Sequence, residues 1–162
     1  MLLTTLIPLV SVAAAVAVPR DFKVPPGMCC FDLAEASSGS PLQQDMYSGL
    51  VYLHSDQVKG QYCLDPNDKR NILWDRDFNA CIVNYYNKFQ CLDPTPGDDV
   101  WSLQRNGDKK LLIHNGSTDF KACSTSTNAE VLSGLNNTPK DSQCRDHVQL
   151  LASNFQGSCD QY

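Results

Sequence analysis

Tyr62-Cys63-Leu64-Asp65-Pro66 begins a segment whose pattern occurs twice within residues 61–123. Each copy contains a Cys-Leu-Asp string followed by proline, a tryptophan about ten residues after the first cysteine, and a closing Asp-Phe-x-Ala-Cys string. These strings are residues 62–66, Trp74 and 77–81 in the first copy, and residues 90–94, Trp101 and 119–123 in the second. Two copies are too few for a solenoid. The pattern indicates either two β-rich halves or a chance similarity of short strings.

Two Asn-Gly dipeptides in the second copy predict tight turns. Asn106-Gly107 separates residues 100–104 from 110–114, and Asn115-Gly116 precedes residues 119–123. Asn-Gly between apolar segments is a strong hairpin signal, because the favoured two-residue turn needs positive φ. Two such turns in succession predict a three-stranded meander.

The rest of the chain also has the pattern of short strands separated by turns rich in Gly, Pro, Asn and Asp. We predict strands at 29–34, 49–54, 61–64, 72–74, 80–86, 89–92, 100–104, 110–114, 119–123 and 147–152, with a strand or helical turn at 129–132. No segment has a convincing helical pattern. The predicted fold is all-β: a disulfide-stabilised antiparallel β-sandwich or barrel of about ten short strands, with internal duplication left open.

The first residues have the features of a secretory signal peptide. An apolar run ends in the small-residue string Ala15-Val16-Ala17. A membrane-spanning helix needs about 20 apolar residues, and Pro8 interrupts this run. We therefore expect a signal peptide at 1–17, an extended arm at 18–28, and a single all-β domain at 29–162. No membrane span is expected after signal removal.

All eight cysteines lie after the signal. An even number of cysteines in a secreted chain predicts disulfides, and the paired spacing of a metal site is absent. No metal or cofactor is therefore expected. The predicted disulfide cysteines are Cys29, Cys30, Cys63, Cys81, Cys91, Cys123, Cys144 and Cys159. Adjacent residues of a strand point to opposite faces, so Cys29 and Cys30 should have different partners.

The charged residues argue against a nucleic-acid partner, and nearly all of the acidic ones are aspartate. A net charge of −5 argues against nucleic acid, whose binding needs a basic face. Glu35 and Glu130 are the only glutamates in the chain. Every other acidic residue is aspartate, which favours turns and caps over helix interiors.

An ordered set of short motifs in the second half of the chain resembles the fungal secreted cell-wall proteins of the PhiA type. The motifs are Trp101-Ser102-Leu103, Asn106-Gly107-Asp108, Asn115-Gly116, Phe120-x-Ala122-Cys123, Cys144 and Cys159, with Phe31 to Leu33 and Gly39-Ser40-Pro41 near the start. The resemblance implies a small β protein of the cell wall or secreted fraction, without known catalytic residues.

This resemblance also bears on the cysteines. Cys123, Cys144 and Cys159 match the family set together with one of Cys63, Cys81 or Cys91, whereas Cys29 and Cys30 are additions. The pairs expected first are Cys123 with Cys144 and Cys63 with Cys81. A weaker resemblance is to ricin-type β-trefoil lectins, in which a Cys-Leu-Asp string opens each subdomain. The Gln-x-Trp string and the third copy of that pattern are absent.

Candidate catalytic and metal-binding residues all have ordinary structural interpretations. Asp65 and Asp93 each precede proline, which is typical of an Asx-turn acceptor rather than of a glycosidase carboxyl. The histidines, at 54, 114 and 147, lie within or at the ends of predicted strands, where packing or exposure is the usual role. Asp98-Asp99 could offer oxygens to calcium but lacks regular spacing. No catalytic residue is predicted.

Two kinds of surface feature remain as candidate sites. Tyr85 and Tyr86 are adjacent in a predicted strand, so one of them should face away from the core and could stack on a sugar. Asn115 and Asn136 begin N-glycosylation sequons. Asn136 is the better acceptor, because Asn115 lies in a tight turn.

The sequence thus predicts a non-enzymatic, secreted fungal cell-wall or surface glycoprotein with a structural or adhesive role and contact with glycans. Its expected partner is cell-wall polysaccharide or an extracellular protein. The alternatives are a secreted effector that binds a host protein, a β-trefoil-like lectin and, last, a small hydrolase.

Overall fold

The computed structural model describes residues 22–135 and 143–162, which form thirteen strands and no helix. The strands are β1 (Cys29–Glu35), β2 (Gln43–Gln44), β3 (Val51–Leu53), β4 (Val58–Lys59), β5 (Tyr62–Leu64), β6 (Leu73–Asp75), β7 (Ala80–Val83), β8 (Phe89–Asp93), β9 (Trp101–Asn106), β10 (Lys109–His114), β11 (Asp119–Ser124), β12 (Glu130–Ser133) and β13 (Cys144–Gly157). The all-β prediction is confirmed.

Every strand pairing is antiparallel, and the order along the sheet is β4-β2-β3-β12-β11-β13-β1-β5-β6-β7-β8. The β9–β10 hairpin branches from this path where β10 pairs with β13. The path does not close into a barrel, so the architecture agrees with the sandwich-like alternative. In the described part of the chain, no helix is long and apolar enough to cross a membrane.

The long strand β13 organises the fold, because its first part pairs with β11 and its second part with β1 and β10. Its register shifts at two places, and a residue with positive φ lies at each: His147 at 59° and Asn154 at 52°. Such bulges bend a strand and increase its twist. They allow one strand to serve two differently oriented groups of neighbours.

The core is centred on Phe89 of β8. Its ring centroid lies 4.9 Å from that of Trp101, 6.1 Å from that of Tyr62 and 6.2 Å from that of Phe120. All four rings are fully buried. The Trp101 Nε1–H donates to the carbonyl oxygen of Cys81 over 2.9 Å, which satisfies the one polar group that the indole brings into the core.

All eight cysteines are paired, which confirms the disulfide prediction. The bonds are Cys29–Cys159, Cys30–Cys63, Cys81–Cys91 and Cys123–Cys144. The expected Cys123–Cys144 pair and the separate partners of Cys29 and Cys30 are confirmed. Four disulfides indicate folding in an oxidising environment.

The expected Cys63–Cys81 pair is wrong. Strand register explains the difference, because Cys63 lies directly opposite Cys30 between β1 and β5. Cys81 lies opposite Cys91 between β7 and β8. These two bonds and Cys123–Cys144 therefore join residues that lie opposite each other in paired strands.

The predicted three-stranded meander is half right. Asn106-Gly107 joins β9 to β10 as a hairpin, with Lys109 opposite Asn106. The Asn115-Gly116 turn also forms, closed by hydrogen bonds between His114 and Ser117. However, β11 then pairs with β12 and β13 rather than with β10. The Asn-Gly turn reverses the chain direction, but it does not determine which strand β11 pairs with. The pairing of β11 with β13 does that.

The two similar segments do not form a structural repeat. Their opening cysteines, Cys63 and Cys91, have partners in non-equivalent strands. Trp101 lies in the main core, whereas Trp74 is half-buried beside a small separate cluster. Chance similarity is therefore the better interpretation. The predicted signal peptide and the sequon residue Asn136 lie outside the described residues.

Candidate functional site

Two surface regions hold the candidate functional residues, and the first is the turn between β7 and β8. Tyr85 is 97% exposed and Tyr86 is 77% exposed. Their ring centroids lie 5.5 Å apart in an edge-to-face arrangement. The predicted strand at 80–86 is too long, because β7 ends at Val83. One of the two tyrosines was expected to face away from the core, and in the structure both do.

Local hydrogen bonding explains why the strand ends before the tyrosines. The side-chain oxygen of Asn84 accepts the backbone N–H groups of Tyr86 and Lys88, both over 3.0 Å. Asn87 then adopts a φ of 59°. Asparagine favours this kind of local turn over a continuing strand. Both tyrosines are thereby held at the tip of a rigid turn.

A third exposed tyrosine lies on a neighbouring turn between β2 and β3. Tyr47 is 95% exposed. The Gln90 side chain connects the two turns: its Nε2 donates to the Ser48 carbonyl oxygen over 2.7 Å, and its Oε1 accepts from Asn84 Nδ2 over 2.8 Å. We call Tyr47, Tyr85 and Tyr86 the tyrosine surface.

The second region is an open cleft of about 480 Å³ in which the only two glutamates of the chain meet. Arg145 of β13 donates from Nε and Nη2 to both carboxylate oxygens of Glu130, over 2.8 and 2.6 Å. Its Nη1 donates to Glu35 Oε1 over 2.8 Å. Glu35 is only 3% exposed, so its charge depends on these partners.

A chain of side chains continues from these carboxylates around the cleft. His54 Nδ1 lies 3.1 Å from Glu130 Oε2, and His54 Nε2 lies 3.0 Å from Ser40 Oγ. The Ser38 hydroxyl lies 2.9 Å from Ser40 Oγ and donates to Glu35 Oε2. Five residues and Arg145 thus form a ring of polar contacts, which we call the charged ring.

The charged ring keeps both glutamates ionised. Burial raises the pKa of Glu35, but hydrogen bonds from Ser38 and Arg145, with the charge of Arg145, lower it further than burial raises it. The hydrogen bonds and charge of Arg145 lower the pKa of Glu130, against a smaller effect of burial. The pKa of the Arg145 guanidinium is raised by the same contacts. Neither carboxyl has the raised pKa of a general acid.

A second cleft of about 590 Å³ adjoins the first and shares His54 and Thr125 with it. Tyr52 and Asp45 also line this second cleft. The Asp45 carboxylate accepts the Tyr47 backbone N–H over 2.8 Å. The two clefts therefore extend from the charged ring to the turn that carries Tyr47.

The aspartates considered from sequence lie elsewhere. Asp65 and Asp93 each accept a backbone N–H two residues later, from Asn67 and Thr95, which is the Asx-turn role predicted for them. Asp99 accepts from His114 rather than forming a cation site. Among residues 22–135 and 143–162, no group of three acidic, His or Cys side chains is placed to hold a metal ion.

Of the three histidines, only His54 lines the cleft of the charged ring. His114 packs on Trp101 in the core region, with ring centroids 4.6 Å apart. His147 is exposed and pairs with Asp119, whose hydrogen bond raises the pKa of the imidazole. The charged ring was missed from sequence because its residues are far apart in the chain. The restriction of glutamate to two positions was the one available signal.

The sequon asparagine Asn115 occupies the turn after β10 with a φ of 48°. Its Oδ1 accepts the Val100 backbone N–H over 2.8 Å, and the residue is exposed. Glycosylation at Asn115 and Asn136 stays a prediction.

No protein-family model, curated protein or solved structure matches this chain. The resemblances to PhiA-type proteins and to trefoil lectins therefore stay predictions.

Proposed function

We propose that this protein is a secreted fungal cell-wall or surface protein with a structural and adhesive role, and that it contacts wall polysaccharide through the tyrosine surface. The four disulfides support an extracellular location. The proposed role itself requires no catalytic step.

The observation that carries the proposal is the exposure of three tyrosines on two connected turns. A group of exposed aromatic rings on one surface is typical of an interaction site. A tyrosine ring offers an apolar face and a polar hydroxyl, which suits the mixed character of a sugar ring. The turns lose little conformational entropy on binding, because Asn84 and Gln90 already hold them.

The test is retention of the purified mature protein on fungal cell-wall polysaccharide in a pull-down assay. We expect saturable retention of the wild-type protein. Retention should fall several-fold in Tyr86→Ala and further in the Tyr85→Ala/Tyr86→Ala double variant. Tyr52→Phe is the matched control, because Tyr52 lies outside the tyrosine surface. Equal retention of all variants would overturn the proposed contact.

A secreted effector that binds a host protein is the competing function. The same tyrosines would suit a protein interface, where this residue type is enriched. Fractionation of the producing cells separates the two functions. The adhesive role predicts the protein in the wall pellet, whereas an effector would be recovered mainly from the culture fluid.

A further inference from the structure

We propose that Ser40 is an activated nucleophile whose base is His54 and whose orienting carboxylate is Glu130, and that this group hydrolyses carboxylic esters beside the cleft that His54 and Glu130 line. This inference goes beyond the adhesive role, does not depend on glycan contact, and departs from the expectation that the protein is not an enzyme. It rests on the geometry of the charged ring.

The distances match what nucleophilic catalysis by serine requires. A hydroxyl within about 2.6–3.2 Å of a base, which a third group orients, is the general pattern for an activated serine. Ser40 Oγ lies 3.0 Å from His54 Nε2, and His54 Nδ1 lies 3.1 Å from Glu130. An ionised Glu130 favours the proton on Nδ1, which leaves Nε2 free to accept the Ser40 proton.

The backbone at His54 is a second, independent observation. Its φ is 56°, in the left-handed region that costs a non-glycine residue about 1 kcal/mol or more. Such conformations persist where the surrounding contacts determine them, and they cluster at functional sites. His54 follows β3 directly and lines both adjoining clefts, which makes it a residue with positive φ that is accessible from two sides.

Arg145 is the one permanently charged cation of the charged ring, and it lines the same cleft as His54 and Glu130. The guanidinium has five N–H donors, and three of them bind Glu35 and Glu130. The other two have no partner within residues 22–135 and 143–162. The side chain is 47% exposed in the cleft. A fixed cation beside a developing oxyanion lowers the barrier in the manner of an oxyanion hole.

The reaction balances with water as the only co-reactant. Ser40 Oγ bonds to the ester carbonyl carbon and its proton moves to His54 Nε2. The carbon–oxygen bond to the alcohol then breaks, and the leaving alkoxide takes that proton. Water adds to the acyl-serine by the same proton transfers in turn, which releases the carboxylic acid and restores the Ser40 hydroxyl.

The test treats the folded, disulfide-bonded mature protein with a fluorophosphonate probe, from which an activated serine displaces fluoride. We expect one covalent adduct, located at Ser40 by peptide mass spectrometry. Ser40→Ala should abolish it, and His54→Ala should slow it by about a hundredfold or more. Ser48→Ala is the matched control and should label normally, because its hydroxyl binds Asp45 rather than a histidine.

Absence of labelling in the wild-type protein overturns the proposal, and so does labelling that survives in Ser40→Ala. These results do not depend on whether any variant folds. A parallel assay of p-nitrophenyl acetate hydrolysis should show turnover in the wild type that Ser40→Ala lacks. Equal turnover in both would likewise overturn the proposal, since exposed lysines and histidines would then explain the hydrolysis.

Discussion

The charged ring and the tyrosine surface lie on one scaffold but are built in opposite ways. In the charged ring, both carboxylates have two or more partners, and Glu35 is almost fully buried. On the tyrosine surface, Tyr85 and Tyr86 contact mainly each other and are open to solvent. The first region therefore contributes to the stability of the fold, whereas the second should be available to a partner at little cost to stability.

The largest effect that separates the two regions is expected for Arg145→Ala. This variant leaves Glu35 buried without its cation, and breaking a buried ion pair costs about 3 kcal/mol or more. Because Arg145 is half-exposed, we expect a loss of about 2 kcal/mol in the free energy of unfolding. Urea denaturation measures it.

Arg70→Ala is the matched control for this prediction. Arg70 also pairs with a carboxylate, that of Asp68, but its side chain is 68% exposed. Exposed pairs contribute little, so its removal should leave the unfolding curve nearly unchanged. Equal losses in Arg145→Ala and Arg70→Ala would contradict the structural role of the charged ring.

A smaller loss in the free energy of unfolding is expected when the pH is lowered. The folded-state pKa values of Glu35 and Glu130 are lowered, so these carboxylates stabilise the fold above their unfolded pKa of 4.5. That stability is lost as pH falls through the lower folded values. The free energy of unfolding should therefore decrease below about pH 4.5 more steeply in the wild type than in Glu130→Gln. Parallel curves from denaturation at several pH values would argue against this account.

A modest effect on stability is expected for Gln90→Ala, which tests the comparison at the tyrosine surface. Two hydrogen bonds that connect the tyrosine-bearing turns are lost, at about 1 kcal/mol. If the two turns bind as one surface, polysaccharide retention should fall although all three tyrosines remain. Unchanged retention would show that Tyr47 acts separately from Tyr85 and Tyr86.

The sequence predicted the features that depend on neighbouring residues. Asn106-Gly107 fixed a hairpin because its turn geometry is local. Short strands between turn residues indicated the all-β class for the same reason. The Cys123–Cys144 bond was expected from a family resemblance, and the register of β11 and β13 places the two residues opposite each other.

The features that the sequence did not predict depend on distant partners. Strand β13 begins at Cys144, earlier than the predicted start at 147. Arg145 does not look like a strand residue by itself, because its partners are two carboxylates on other strands. Ser40, His54 and Glu130 come together only through the pairing of β3 with β12 and the turn after β1. Tyr85 and Tyr86 have strand-forming character, but the Asn84 side chain overrides it.

The most direct test of the adhesive account is an amide NMR titration of the mature protein with a soluble oligosaccharide prepared from the fungal wall. The account predicts chemical-shift changes concentrated in residues 45–48 and 84–87, with few in the cleft around Arg145. Changes confined to the cleft, or none at saturating sugar, would contradict the claim that the tyrosine surface is the polysaccharide contact.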